Sequence, residues 1–257
     1  MRIFIKVLTM CEQKNKWITL IVIFLFFFSA EMTFAQTPLN ETQTTNDPLE
    51  KVNRVMFHFN DFLDAVILKP VATLYIKIVP KPIVKGITNI YANIDTIPTV
   101  CNDVLQGNLY QATSDSWRFA INSSVGILGF FDVATDIGLE PNKEDFGLTL
   151  ARWGFTNSTY LVLPFFGPSS FRDLIGLPVD YYAFSIYPYI NPTRTRYAVY
   201  GVGVVSRRAD LLHFQSVFDQ AAVDKYVFLR DAYLQRRAYL MERNKELANP
   251  YLEKREG

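Results

Sequence analysis

The sequence has little sulfur and almost no histidine. Two cysteines and two histidines in 257 residues leave no ligand set for a Cys/His zinc site and no disulfide framework. Charge imbalance is also missing. With 26 Lys+Arg against 25 Asp+Glu, the net charge is +1, which gives no bulk attraction for nucleic acid. No GxSxG, GxGxxG, P-loop, HExxH or EF-hand loop occurs. His58 lies between Phe57 and Phe59, and His213 follows Leu211-Leu212 near a helix end; both read as structural. Cys101 has no histidine near it in sequence and reads as an ordinary buried thiol. The composition predicts neither a cofactor nor a metal.

Apolar and aromatic residues are abundant. Hydrophobic residues make up 49% and aromatics 15%, too much for a disordered chain. The longest uncharged opening run, Trp17 to Ala30, has 14 residues. That is short of the about 20 a spanning helix needs and fits the about 7–15 of a signal-peptide core. Arg2, Lys6, Lys14 and Lys16 precede it, and Thr33-Phe34-Ala35 offers a cleavage site before Gln36. Residues 1–35 therefore read as a signal peptide, the alternative being an uncleaved anchor extended to Phe34. Cleavage removes Cys11 and leaves a net charge of −1. A lipoprotein signal would place Cys after the apolar run, but Phe28-Ser29-Ala30 is followed by Glu31. A lipid anchor is not supported.

Residues 36–46 are polar and Thr-rich, a flexible lead. Asp47, Pro48 and Glu50 then spell an N-cap, N1 and capping box. Val52, Val55, Met56, Phe59, Phe62, Leu63, Val66 and Ile67 form one helical stripe, which Pro70 should end or kink. Pro80, Pro82 and Pro98 punctuate the next stretch of chain. A helix is predicted from Asn108, with Tyr110, Trp117, Ile121, Val125 and Leu128 on one face. Gly126 and Gly129 suggest a turn or a close backbone approach there. Asp132 and Asp136 read as caps or gate residues. Asp145 to Trp153 suits a helix, and Tyr160 to Phe166 a buried extended segment. Ser169 or Ser170 should cap a short helix to Gly176. Long helices are expected over about 194–214 and 223–247, before a tail at 248–257. The pattern is mostly α, one domain of short amphipathic helices over 47–247.

Ordered motifs run through that domain. They include Asn46-Asp47-Pro48-Leu49-Glu50-Lys51-Val52-Asn53-Arg54, Leu105-Gln106-Gly107 and Arg118-Phe119-Ala120-Ile121-Asn122-Ser123. Further on come Gly126-Ile127-Leu128-Gly129-Phe130-Phe131-Asp132, Glu144-Asp145-Phe146-Gly147, Leu163-Pro164-Phe165-Phe166-Gly167-Pro168-Ser169, Arg172-Asp173 and Arg230-Asp231-Ala232-Tyr233. Together they resemble the MlaA, or VacJ-like, family over nearly all of the mature chain. The resemblance implies an outer-membrane protein of Gram-negative bacteria, a flat ring-like bundle lying in the membrane plane. It implies a non-enzymatic role, the removal of mislocalised phospholipids from the outer leaflet through an amphipathic channel. Implied partners are phospholipids, a trimeric outer-membrane porin and a periplasmic lipid carrier.

In that family a helical hairpin forms much of the pore wall. The resemblance places it near Ile121–Phe146. Gly126 and Gly129 would permit movement, Leu128, Phe130 and Phe131 would offer apolar surface, and Asp132 would lie beside them. Phe59, Phe62 and Val66 are the candidates to face acyl chains. Two rival readings remain at this level: a soluble periplasmic lipid-binding or scaffold protein, and a phospholipase.

The first expected outcome concerns processing. The intact mass of the mature protein should match a chain beginning at Gln36 with no acyl group. A diacylglyceryl increment, or retention of residues 1–35, would contradict the reading of the leader.

Overall fold

The computed structural model describes residues 47–215 and 224–247; the leader, the polar lead and the C-terminal tail lie outside them. The described chain is mostly helical. Its elements are α1 (Glu50–Leu63), α2 (Lys69–Ile78), α3 (Lys81–Leu105), α4 (Leu109–Ser124), α5 (Val133–Asp136), α6 (Phe146–Arg152), β1 (Tyr160–Leu163), β2 (Gly167–Ser170), α7 (Phe171–Val179), α8 (Thr193–Leu211) and α9 (Lys225–Leu247). Two π turns, Asp64–Leu68 and Asp180–Phe184, join or extend helices.

The prolines break fewer helices than their spacing suggests. Between α1 and α2 the chain widens into the first π turn, where the Lys69 N–H reaches back five residues to the Asp64 carbonyl. Pro70 then sits in the first turn of α2, where its missing N–H forfeits no bond. Pro98 lies inside the unbroken 25-residue α3. Thr99 Oγ1 donates to the Asp95 carbonyl and Asn102 Nδ2 to that of Pro98, at 3.1 and 2.9 Å. Asp47 does not form the expected capping box. Its carboxylate accepts from the Leu49 N–H at 3.1 Å, and Glu50 pairs with Arg54 instead.

α3 and α4 form a long helical hairpin. It turns at Gly107 (φ +77°), and the Asn108 side chain caps α4 at the Gln111 N–H. Residues 121–146 hold the end of α4, a tight turn, one-turn α5 and an extended approach to α6. The predicted extended segment is found as β1, antiparallel to β2, with Tyr160 opposite Ser170 and Leu163 opposite Gly167. Asn53 of α1 adds a third partner to this pair. Fully buried, it donates to the Tyr160 carbonyl at 3.2 Å and accepts from the Val162 N–H at 2.9 Å, docking α1 on the hairpin. Phe57, Tyr160, Val162 and Tyr226 make the apolar cluster at this junction.

α6 and α7 meet through glycines. A Cβ on Gly176 would come 2.8 Å from the Gly147 backbone nitrogen, and one on Gly147 would collide with the Asp173 carboxylate and come 2.8 Å from Arg237 Nη2. Gly201 on α8 faces open space. Gly147→Ala and Gly176→Ala should each cost about 1–3 kcal/mol by overpacking, whereas Gly201→Ala should gain up to about 1 kcal/mol of helix stability. Thermal unfolding of the three variants in detergent checks the contrast.

Candidate functional site

Burial in this protein runs against the rule for a water-soluble fold. Among the described residues, 19 polar or charged side chains are buried against 15 apolar ones. The usual ranking puts aliphatic and aromatic residues inside, so the surface must carry what the interior lacks. It does. Val52, Val55, Phe59 and Phe62 of α1 and Val66 and Ile67 of the first π turn are exposed, while Met56 and Leu63 of the same stripe are half-buried. The inward positions are Asn53 and Phe57. Val71, Leu74 and Ile78 on α2, Trp117 on α4, and Phe165, Phe166, Phe171 and Ile175 near β2 and α7 are exposed too.

The interior is a set of hydrogen-bonded polar clamps. On α4, Arg118 donates to both Asp132 oxygens at 2.9 and 3.1 Å, to Thr135 Oγ1 at 2.9 Å and to the Leu139 carbonyl. Asn122 donates to Asp132 at 2.8 Å and accepts from the Ala134 N–H at 2.9 Å. Asp132 is the N-cap of α5, one of the two roles its sequence position suggests. Burial opposes its charge, but hydrogen bonds from Thr135 and Asn122 and the Arg118 charge hold the carboxyl below its usual range.

Arg118 and Asp132 thereby fix the turn at 125–131. Ile127 and Leu128 have φ of +53° and +57°, a region costly for any residue with a Cβ and most so for a β-branched one. Both point outward, 64% and 71% exposed, with Val125 and Phe131 exposed beside them. Gly126 and Gly129 are buried. A Cβ on Gly126 would strike the Phe131 and Asn122 carbonyls, and one on Gly129 (φ +90°) would lie 2.5 Å from the Asn93 Cβ. Close approach accounts for both glycines. Phe130 turns inward, its ring packed on Gly86 and its carbonyl accepting from Asn89 at 3.1 Å. Of the sequence-predicted apolar trio, Leu128 and Phe131 are outside and Phe130 is not. Phe59 packs its edge on Phe165 at 5.4 Å, while Phe62 and Val66 are 62% and 56% exposed.

A second cluster links α9 to the loop before α6. Arg237 takes the Asp145 carboxylate with two nitrogens, at 2.5 and 2.9 Å, and also binds Asp173. Tyr233 donates to the other Asp173 oxygen. Beside it, Glu144 accepts from Gln106 at 2.9 Å, Asn244 at 2.7 Å and Arg243 at 2.7 Å. Burial pushes the Asp180 carboxyl up to about 6, although Phe146 N–H and Asn102 donate to it.

Asp103 and Asp115 are both 1% exposed and hydrogen-bond to each other. Asn142 Nδ2 bridges them at 3.4 and 3.0 Å. Asp115 Oδ1 is buried without a hydrogen-bond partner. Burial first, then Asp115 and the Glu144 charge, raise Asp103 to about 9. Sequence reasoning assigned no role to the asparagines and glutamine of these clamps. Their signal was there in polar residues, such as Asn53, Asn102 and Asn122, on faces that should have been apolar. Cys101 is a free, half-buried thiol whose ionisation burial opposes.

The profile of a family described as MlaA lipoprotein matches residues 45–240. An uncharacterised protein of Rickettsia conorii is 36% identical over 72% of this chain and 74% of its own length. The Escherichia coli K12 protein named intermembrane phospholipid transport system lipoprotein MlaA is 33% identical over 78% and 80%. Its Haemophilus influenzae namesake is 35% identical over 74% and 77%. A solved structure presented as "Structural basis for maintenance of bacterial outer membrane lipid asymmetry" superposes with a TM-score of 0.65 and 32% identity. That match covers 76% of this chain and 99% of the other.

The acid pair predicts a pH dependence. Asp103 titrates higher in the folded than in the unfolded chain, so its contribution is whole at acid pH and fades as pH rises from about 4, the unfolded value, toward 9. Asp103→Asn keeps a donor for Asp115 without a titrating proton. Its unfolding midpoint should overtake that of the wild type as pH climbs through this window. Parallel pH profiles of the two proteins would contradict the shared proton.

Proposed function

The chain belongs to the MlaA lipoprotein family, and from that premise we propose that it is the outer-membrane component of an intermembrane phospholipid transport system. It removes mislocalised phospholipids from the outer leaflet through an amphipathic channel and so maintains lipid asymmetry. The observation that carries this reading is the inverted burial: polar clamps inside, apolar stripes outside.

Exposed apolar area costs about 25 cal/mol per Å² in water, and an α1 stripe turned mostly outward has little core to cover it. Acyl chains are the solvent that removes the cost. No helix among the described residues is long and apolar enough to cross a membrane. Short amphipathic helices lying in the membrane plane fit that limit. In this reading Phe59, Phe62 and Val66 meet lipid tails. The strained lip of Ile127 and Leu128, with Phe131, offers them a further apolar contact.

Transport of this kind needs no covalent step. A phospholipid needs apolar surroundings for its tails, worth about 0.8 kcal/mol per buried methylene, and a polar path for its head, since burying an unpaired charge costs several kcal/mol or more. Apolar outer faces and a polar interior supply both. The buried acids and arginines of the clamps are held by one another and by amides, an arrangement for rigidity and not for proton transfer. A trimeric porin and a periplasmic carrier are the partners this role calls for. The relatives are named lipoproteins, yet this leader has no Cys after its apolar run. In this reading, embedding through the helices holds the chain at the membrane.

Phe62→Lys tests the placement. A lysine at the bilayer centre costs about 2.5–3.5 kcal/mol, less toward the interface. The variant should therefore leave the membrane fraction, and phospholipid should accumulate in the outer leaflet, with the fold retained. Because Phe62 is exposed, a soluble protein would tolerate the change without loss of either property. A wild-type mature chain that is monodisperse without detergent and ignores bilayers would overturn the reading.

A further inference from the structure

From Ala65 to Ile94 the chain carries Lys69, Lys77, Lys81 and Lys85 and no aspartate or glutamate. This stretch runs from the first π turn through α2 and the corner at Val79-Pro80 into α3. An acid flanks it at each end, and α8 neutralises both. Arg208 takes the Asp64 carboxylate with two nitrogens, at 2.5 and 2.8 Å, and Arg207 takes Asp95 at 2.6 Å. Asp210, the acid of α8 itself, accepts from the Thr88 hydroxyl at 3.5 Å on the seam between α3 and α8. Among the described residues, nothing pairs with or hydrogen-bonds to the side chain of Lys69, Lys77, Lys81 or Lys85.

Two of these lysines share a groove. Ala65, Lys69, Pro70, Thr73, Leu74 and Lys77 line an open recess of about 550 Å³ along the π turn and α2. Ala65, Pro70 and Leu74 are exposed and make its apolar surface, which Val71 and Ile78, also exposed, continue. Lys69 and Lys77 stand about 12 Å apart along the α2 axis, a spacing that two extended lysine stems close onto one group between them. Thr73 lies between the two, and its hydroxyl donates to the Lys69 carbonyl at 2.7 Å. The positive charge of the groove is therefore that of the lysines alone. An apolar surface with a cation at each end and no anion of its own suits an amphiphile with a negative head.

We propose that this groove holds an anionic glycerophospholipid, its phosphate between the Lys69 and Lys77 ammoniums and an acyl chain over Pro70 and Leu74. Lys81 and Lys85 continue the basic edge toward neighbouring head groups. The assignment rests on the membrane and transport reading and deepens it by naming a lipid class. Each lysine near an anionic leaflet adds to the attraction, and a stretch without acids takes nothing from it. A zwitterionic head group brings its own cation against the lysines and gains less. The groove opens on the exposed side of α2, so its occupant sets how the protein sits at the head-group level of the leaflet.

The test measures binding of the full chain, diluted from detergent, to phosphatidylcholine vesicles with and without phosphatidylglycerol. Wild-type protein should bind both and prefer the anionic vesicles, with the preference falling as salt rises. The Lys69→Gln, Lys77→Gln double variant should bind the anionic vesicles about tenfold or more weakly. Its hold on pure phosphatidylcholine and its helical circular dichroism should be unchanged. The Lys69→Arg, Lys77→Arg pair should retain the preference. So should Lys51→Gln with Arg152→Gln, which removes the same charge from exposed residues elsewhere. A Lys69, Lys77 double glutamine variant that keeps the wild-type preference overturns the site. Equal losses in the two glutamine pairs would reduce it to bulk charge and overturn it too. A wild-type chain indifferent to phosphatidylglycerol overturns the anionic assignment and leaves the transport reading standing. Inorganic phosphate abolishing the preference at matched ionic strength would make the groove a site for the free ion and overturn the lipid assignment. A wild-type chain that binds neither vesicle overturns the site and the transport reading together.

Discussion

Arg237 has to be neutralised where it is buried, and the way this is done ties together much of the chain beyond α4. Its guanidinium takes Asp145, the N-cap of α6, and Asp173 in the first turn of α7. One residue of α9 thereby fixes the starts of two helices. Removing one partner of a buried ion pair costs about 3–5 kcal/mol, because the other charge stays behind unpaired. Gly147 is dictated by the same constraint, since Asp173 occupies the space its side chain would need. The Glu144-Asp145-Phe146-Gly147 run is thus one device: an acid for Arg243, an acid for Arg237, a buried ring and a gap.

A protein held by such clamps does not need a large apolar core. The hydrophobic effect usually drives folding by hiding apolar surface from water; here most of that surface is left outside. Stability then depends on what covers the stripes, because the interior does not. Polar clamps also hold shape without relying on apolar side chains pressed together inside. The turn at 125–131 shows how far this goes. Arg118 and Asp132 hold two residues with φ above +50° so that two aliphatic side chains can project.

The sequence made the helices legible, and the α1 stripe most of all, because a three- and four-residue rhythm is the same whether core or lipid lies opposite. For that reason it could not tell which of the two it was. Ser170 as a cap and the extended Tyr160 segment were also legible from local chemistry. The long hairpin was not, because Pro98 argued for a break in what is a continuous helix. Nor were the roles of Asn53, Gln106 or Arg237, whose partners lie 107, 38 and 92 residues away in sequence. Composition shows a polar residue; only the fold shows that it is inside.

The π turn before Pro70 has a consequence for phase. Along α1 the outward residues step by three or four, 52, 55, 59, 62, 66. The next step, from Val66 to Val71, is five, after which Leu74 and Ile78 resume the rhythm. A straight α-helix turns about 100° per residue, so one supernumerary residue would swing the α2 stripe off the face that α1 presents. The wide turn absorbs that residue and keeps the two stripes collinear. The spacing and the π turn are therefore one insertion seen twice: removing a single residue between Asp64 and Leu68 would return the step to four and the wide turn to an ordinary α turn, with the α2 stripe still on the face of α1.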